Sequence, residues 1–210
     1  MASQLTNEEM REFLSSGVVG AEWPKGKTII WTIVDGCSQK HVYTREEGGP
    51  HAEIQFITDL TRIRKYRRDG KRRRVDTVRN IEMFCNYSPC DECAAELQQL
   101  VFDHPGPSIT IKCAKLYRVD EGDDRSEKNR RALKNLKSKN GIQVESFDFN
   151  DWSRLLHEAS NLQGYDYLQP LEALEFPGRE AGTISTGRQD ADDNVREMLK
   201  KLYPQTWLYK

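Results

Sequence analysis

The sequence predicts an α/β domain, a mixed five-stranded sheet flanked by about six helices. Three observations carry this. Apolar runs of strand length at 29–34, 40–44, 78–85, 109–116 and 142–146 are separated by stretches of helical periodicity. An Asp35-Gly36 pair between the first two runs signals a turn, with the second run returning along the first. The last two runs are separated by a helical stretch, which argues for a parallel crossover rather than a hairpin.

Each element has its own signal. Thr6 or Asn7 followed by Glu8 and Glu9 caps a first helix with Met10, Phe13 and Leu14 on its apolar face, ended by Gly17 and Gly20. Trp23 to Thr28 reads as a loop and Arg45 to Gly49 as a flexible one. Pro50 opens a helix in which Ile54, Ile57, Leu60 and Ile63 recur at three-residue spacing. In the third run, Ile81, Met83 and Cys85 share a face. Asp91 and Glu92 start the next helix, striped by Ala94, Leu97, Leu100 and Val101, and His104-Pro105-Gly106-Pro107 stops it. A polar loop over Asp120 to Ser126 precedes a helix over Glu127 to Lys139 carrying Leu133 and Leu136. Further helices are expected over Asp151 to Ala159, Tyr165 to Leu174 and Asn194 to Tyr203, the last with Val195, Met198, Leu199 and Leu202 inward. Gly178 to Asp193 reads as a mobile polar linker. With no internal repeat, one catalytic domain over 1–176 is expected, with 177–210 a linker and terminal helix packed on it.

Composition bounds the function classes. The 210 residues are 37% hydrophobic and 31% charged, enough for one sizeable core under a polar surface. No apolar run approaches a membrane span, and Met1 to Met10 is polar and acidic, unlike a secretory leader. Five cysteines, an odd number, suit a reducing compartment, so a cytoplasmic or nuclear location is expected. Net charge is -1, but nine of the thirteen residues from Arg62 to Arg74 are Lys or Arg. Such a block is a solvated face, a phosphate-binding surface or a nuclear localisation signal.

The chemistry concentrates in Pro50-His51-Ala52-Glu53 and Ser88-Pro89-Cys90-Asp91-Glu92-Cys93. His-x-Glu followed by Pro-Cys-x-x-Cys is the signature of zinc nucleobase deaminases. A catalytic zinc takes three protein ligands and keeps a fourth position for water, and His51, Cys90 and Cys93 supply three. Glu53 is then the general acid/base, moving a proton from that water to the leaving amine. Cysteines in the first turn of a helix have lowered thiol pKa values, which favours metal-binding thiolate. Alternatively, a Cys-x-x-Cys serves redox chemistry or half of a structural zinc site. A structural site needs four ligands, and Cys37, Cys85 and Cys113 look like strand residues.

Beyond this motif, Trp23-Pro24-Lys25-Gly26-Lys27-Thr28, Cys113-Ala114-Lys115-Leu116-Tyr117-Arg118 and Phe147-Asp148-Phe149-Asn150-Asp151-Trp152 resemble the activation-induced deaminase/APOBEC polynucleotide cytidine deaminases. The likeness spans roughly Asn7 to Ser160. It departs at Asn86-Tyr87-Ser88, where the family carries Ser-Trp-Ser or Ser-Trp-Thr. The resemblance implies a cytidine deaminase fold and a single-stranded DNA or RNA partner; the sequence leaves the oligomeric state open, with a monomer as the default. It implies that Trp23, Lys25, Lys27 and Thr28 border the strand's groove, and that Tyr87 walls the base. It also implies that Tyr117 stacks on or edges the target base or its 5′ neighbour and that Arg118 shapes preference for that neighbour. Backbone groups of Ala52 and Ser88 would contact the base edge. The rival readings are a free-cytidine deaminase and a catalytically idle nucleic-acid-binding scaffold. Tyr117 as a buried strand end is the bland alternative for that residue.

Overall fold

Thr6 starts the chain's first helix by a reciprocal cap: its hydroxyl accepts from the Glu9 N–H and its own N–H donates to the Glu9 carboxylate at 2.7 Å. This helix, α1 (Asn7–Ser15), buries Met10, Phe13 and Leu14 and ends at Gly17, whose φ of 85° suits glycine. The computed structural model describes residues 4–17, 27–44, 48–62, 78–138, 141–159 and 181–203. Trp23, Lys25, the basic block beyond Arg62 and the helix expected over Tyr165 to Leu174 lie outside them.

Strands β1 (Lys27–Val34) and β2 (Cys37–Thr44) form an antiparallel hairpin. Its two-residue turn needs positive φ at both positions, and Asp35 and Gly36 adopt 47° and 84°. The Asp35 carboxylate accepts from the N–H groups of Arg79 and Asn80, which keys the turn to the next strand. After α2 (Ala52–Arg62), β3 (Asn80–Cys85) pairs antiparallel to β1. There follow α3 (Asp91–Asp103), β4 (Ser108–Cys113), α4 (Asp124–Ser138) and β5 (Ile142–Ser146). β3, β4 and β5 are parallel neighbours, so both connections are helical crossovers. The sheet order is β2-β1-β3-β4-β5. Helix α5 (Phe149–Arg154) runs into a π-helical turn (Leu155–Ala159), and α6 (Ala181–Leu202) is the last element among the described residues. The expected mixed five-stranded sheet is present, with six α-helices among the described residues.

Alternation sends the strand residues to two cores. Ile30, Ile81, Met83, Ile109, Ile111 and Val144 pack under α2, α3, α4 and α6. Ile29, Trp31, Ile33 and Phe84 pack against α1 and the α5 region, where Phe147 stacks on Trp152 at 4.3 Å. β1 lies between two neighbours and buries both faces.

Several expectations need correction. The fourth strand stops at Cys113 rather than Leu116, because the chain bends to let the Lys115 carbonyl accept from the Ser88 N–H at 2.8 Å. The helix expected from Glu127 starts at Asp124, since the Asp123 carboxylate accepts from the Ser126 N–H and hydroxyl. The largest difference is 181–193, expected as linker but helical in α6. Its glycines and β-branched residues are poor helix formers. Tertiary burial offsets that weakness: Arg188, Ala191 and Asp192 are all buried. Arg188 donates to the carbonyls of Leu14, Ser16 and Ala114 and pairs with Asp192 at 2.9 Å. Asp192 in turn accepts from the Trp152 indole at 2.8 Å.

Candidate active site

The topology gathers one set of chain ends at one edge of the sheet. β3 and β4 are parallel, so their carboxyl ends emerge together, and antiparallel β1 starts there. Asn86, just past β3, joins them. Its side chain accepts from the Ile29 N–H at 2.9 Å and donates to the Lys27 carbonyl at 3.2 Å. Fully buried, it holds the start of β1 beside Tyr87 and Ser88.

His51 stands one residue ahead of α2, where its carbonyl accepts the first helical bond, from Gln55. The Gln55 amide also donates to the Pro50 and Val42 carbonyls, which anchors the approach to the helix. The Tyr43 ring packs against the His51 imidazole at 4.7 Å. Cys90 is the N-cap residue of α3 and Cys93 lies in its first turn. The His51 Nδ1 is 3.2 Å from Cys93 Sγ and 3.6 Å from Cys90 Sγ. All three donor atoms lie within 4.8 Å of one another, an arrangement that could hold a metal ion.

The electrostatics of the pair of thiols favour one thiolate even without metal. A hydrogen bond from Cys93 lowers the Cys90 thiol to about 6, helped by His51. The same bond, with burial, drives the Cys93 thiol upward. Helix N–H dipoles at the start of α3 act in the same sense on Cys90. Glu53 is 3% exposed, and burial pushes its carboxyl up to about 7.

A cleft of about 300 Å³ opens above these groups. Of the residues expected at the site, Lys27, Thr28, His51, Glu53, Tyr87, Ser88, Cys90, Tyr117 and Arg118 line it. Cys93 is buried behind them, and the Ala52 side chain points into the core under α2. Tyr87 and Tyr117 meet edge to face at 6.4 Å and form an aromatic rim. Burial raises the Tyr87 phenol to about 12, so it stays neutral. Lys27 is drawn towards α1 by Glu12 at 3.4 Å and Glu8 at 3.9 Å. Arg118 pairs with Glu121 and Asp123.

Tyr43, Asp91, Glu92 and Arg125 also line the cleft and were not anticipated as site residues. Tyr43 pairs with Thr28 across the hairpin, so fixing that register from the Asp-Gly turn would have found it. Arg125 reads as loop until Asp123 is recognised as a helix cap.

Comparison with known proteins gives a consistent result. The family described as "APOBEC3, cytosine deaminase domain" matches residues 19–175. The chain is 28% identical over 102 residues to the "Putative C->U-editing enzyme APOBEC-4" of Macaca fascicularis, covering 46% of this chain and 28% of that protein. It is 28% identical over 135 residues to the "C->U-editing enzyme APOBEC-1" of Oryctolagus cuniculus, covering 62% of this chain and 50% of that protein. The chain thus spans half or less of the length of these relatives.

Proposed function

Because the chain belongs to the APOBEC family of cytosine deaminase domains, matched over residues 19–175, we propose that it is a zinc-dependent hydrolase converting cytosine to uracil in single-stranded DNA or RNA. The observation that carries this reading is a donor set of one imidazole and two cysteines at a helix start beside a buried carboxylate, in a cleft lined by tyrosines and by charged groups of both signs.

The donor set fits zinc: nitrogen and sulfur ligands, three in number, with cysteine thiolate favoured by the helix start. When bound, zinc supplies Lewis-acid activation of a water molecule near neutral pH. His51, Cys90 and Cys93 would hold it. Glu53 accepts one proton from the attacking water and delivers it to N3 of the ring, then carries the second, from the hydroxyl now on C4, to the departing amine. The C4–O bond forms, the C4–N bond breaks, and ammonia leaves. The burial of Glu53 keeps bulk water from exchanging that proton.

A polynucleotide suits the rim better than a free nucleoside does. Tyr117 offers a face for an extruded base, and Lys27, Arg118 and Arg125 stand at the mouth within reach of phosphates, alongside the carboxylates of Asp91 and Glu92. The basic block from Arg62 to Arg74 adds phosphate affinity or directs the protein to the nucleus. We assign the protein to the cytoplasm, the nucleus or both. The described residues include no helix long and apolar enough to cross a membrane.

The test is uracil formation from one cytosine in matched single-stranded DNA and RNA oligonucleotides, with free cytidine alongside and Glu53→Ala as control. Conversion of an oligonucleotide by wild type alone is expected. Conversion of cytidine only would replace the reading with nucleotide metabolism. No conversion by a zinc-loaded protein would leave a binding scaffold.

A further inference from the structure

Helix α3 begins at Cys90, whose sulfur lies beside His51 and is engaged by Cys93, leaving the Asp91 N–H to a group from elsewhere. The first N–H groups of a helix need a partner from elsewhere. Asn129, from the middle of α4 and 1% exposed, accepts from the Asp91 N–H at 3.1 Å. Its amide nitrogen donates in the opposite direction, to the carbonyls of Tyr117 at 3.1 Å and Arg118 at 3.5 Å.

Tyr117 is held from the other side as well. Its N–H donates to the Ser88 hydroxyl at 2.9 Å. Ser88 lies two residues before Cys90 and Asp91 one after it, so the peptide groups on either side of Tyr117 are referenced to the two flanks of one proposed metal ligand. The next residue, Arg118, sits at φ 44°, a left-handed conformation that costs a non-glycine residue energy and persists only where its surroundings enforce it. Three hydrogen bonds through one buried amide are such an enforcement.

We infer that Asn129 is a positioning residue: its side chain caps α3 from α4 and fixes the Tyr117–Arg118 edge of the cleft at a set distance from the Cys90 segment. The inference rests on the deaminase reading for its consequence, since a base seated against the Tyr117 edge of the cleft meets the proposed metal site only if that distance is kept. Asn129 then acts on the selection of the base and its neighbour without touching either, and the Ser88 hydroxyl supports the same edge from within the cleft.

Asn129→Asp is the discriminating variant. It keeps the acceptor for the Asp91 N–H and the side-chain size but loses both donors. Asn129→Ala removes everything. Ala132→Gly, a half-buried position on the same helix, lowers helix stability by propensity and by loss of one methyl at the core edge without touching the Asn129 bonds, and serves as control. Amide hydrogen exchange over 116–121 should rise about tenfold in both Asn129 variants and not in Ala132→Gly. Zinc content should be unchanged in Asn129→Asp. On oligonucleotides differing in the base 5′ to the cytosine, Asn129→Asp should raise KM more than it lowers kcat and flatten the preference among neighbours. Exchange over 116–121 equal to wild type, or raised equally by Ala132→Gly, overturns the inference. Wild-type inactivity on every oligonucleotide overturns the deaminase reading instead, and the exchange comparison still decides the positioning role.

Discussion

The Arg188 guanidinium donates to the Ala114 carbonyl at 2.8 Å, joining the last helix to the turn that leaves β4. The same side chain reaches the Leu14 and Ser16 carbonyls at the end of α1 and lies over the Trp152 ring at 5.1 Å. One buried cation thus ties together α1, the β4 exit and α6, and Asp192 neutralises it.

Arg188→Met should be strongly destabilising. It leaves the Asp192 carboxylate buried without its cation and three carbonyls without a donor, a loss of about 3–5 kcal/mol in unfolding free energy. Arg188→Met combined with Asp192→Leu should recover part of that loss. Urea unfolding measures both, and a loss under about 1 kcal/mol for the single variant would remove the network from any account of stability.

Metal removal should destabilise the folded chain. A ligand bound only to the native state stabilises it by about 2.7 kcal/mol at a hundredfold excess over Kd. Chelation should therefore lower Tm in the wild type, and re-addition of zinc should restore it. Cys93→Ala should show no such response, and a Cys93→Ala protein that still responds would assign the stabilisation to another site.

His41 makes stability depend on pH. It is buried in β2, with Nε2 3.4 Å from the Thr32 hydroxyl, Nδ1 3.8 Å from the Asp59 carboxylate and its ring against Phe56. Burial pulls its pKa below 6.5, Asp59 offsetting part of the shift. The unfolded chain therefore takes up a proton that the native chain resists. This contribution is fully present above about pH 6.5 and is lost progressively as pH falls below that value towards the lower pKa of the folded chain. The stability advantage of wild type over His41→Gln should be smaller at pH 5.5 than at pH 7.5. Equal advantages in urea unfolding at the two values would contradict this.

Lys27 is half-way between structure and substrate: 24% exposed, paired with Glu12, and on the wall of the cleft. Lys27→Gln should weaken single-strand binding uniformly across sequences and reduce the slope of log K against log salt by about 0.7. An unchanged slope would assign Lys27 to holding α1 alone.

Much of the fold was legible because it is written at short range. The Asp35-Gly36 hairpin follows from two positive φ angles, and the Thr6 cap from a three-residue spacing to Glu9. The crossover between β4 and β5 follows from the helical stretch between two apolar runs. Strand ends were less legible. β4 stops where a carbonyl is needed by Ser88, and that need arises in another segment.

By itself the sequence determined the chemistry on offer: one imidazole, one carboxylate two residues later, and two cysteines three apart at a helix start. These are local spacings, set by a helical turn. Only the tertiary structure decided what surrounds them. The meeting of His51 with Cys90 and Cys93 depends on two helix starts converging across 39 and 42 residues. The helix at 181–193 depends on burial of Arg188 and Asp192 against elements far away in the chain. The roles of Asn86 and Asn129 depend on which backbone groups the sheet topology leaves without partners. A side-chain amide binds whatever unpaired N–H or carbonyl is brought to it, and no spacing in the sequence specifies that partner.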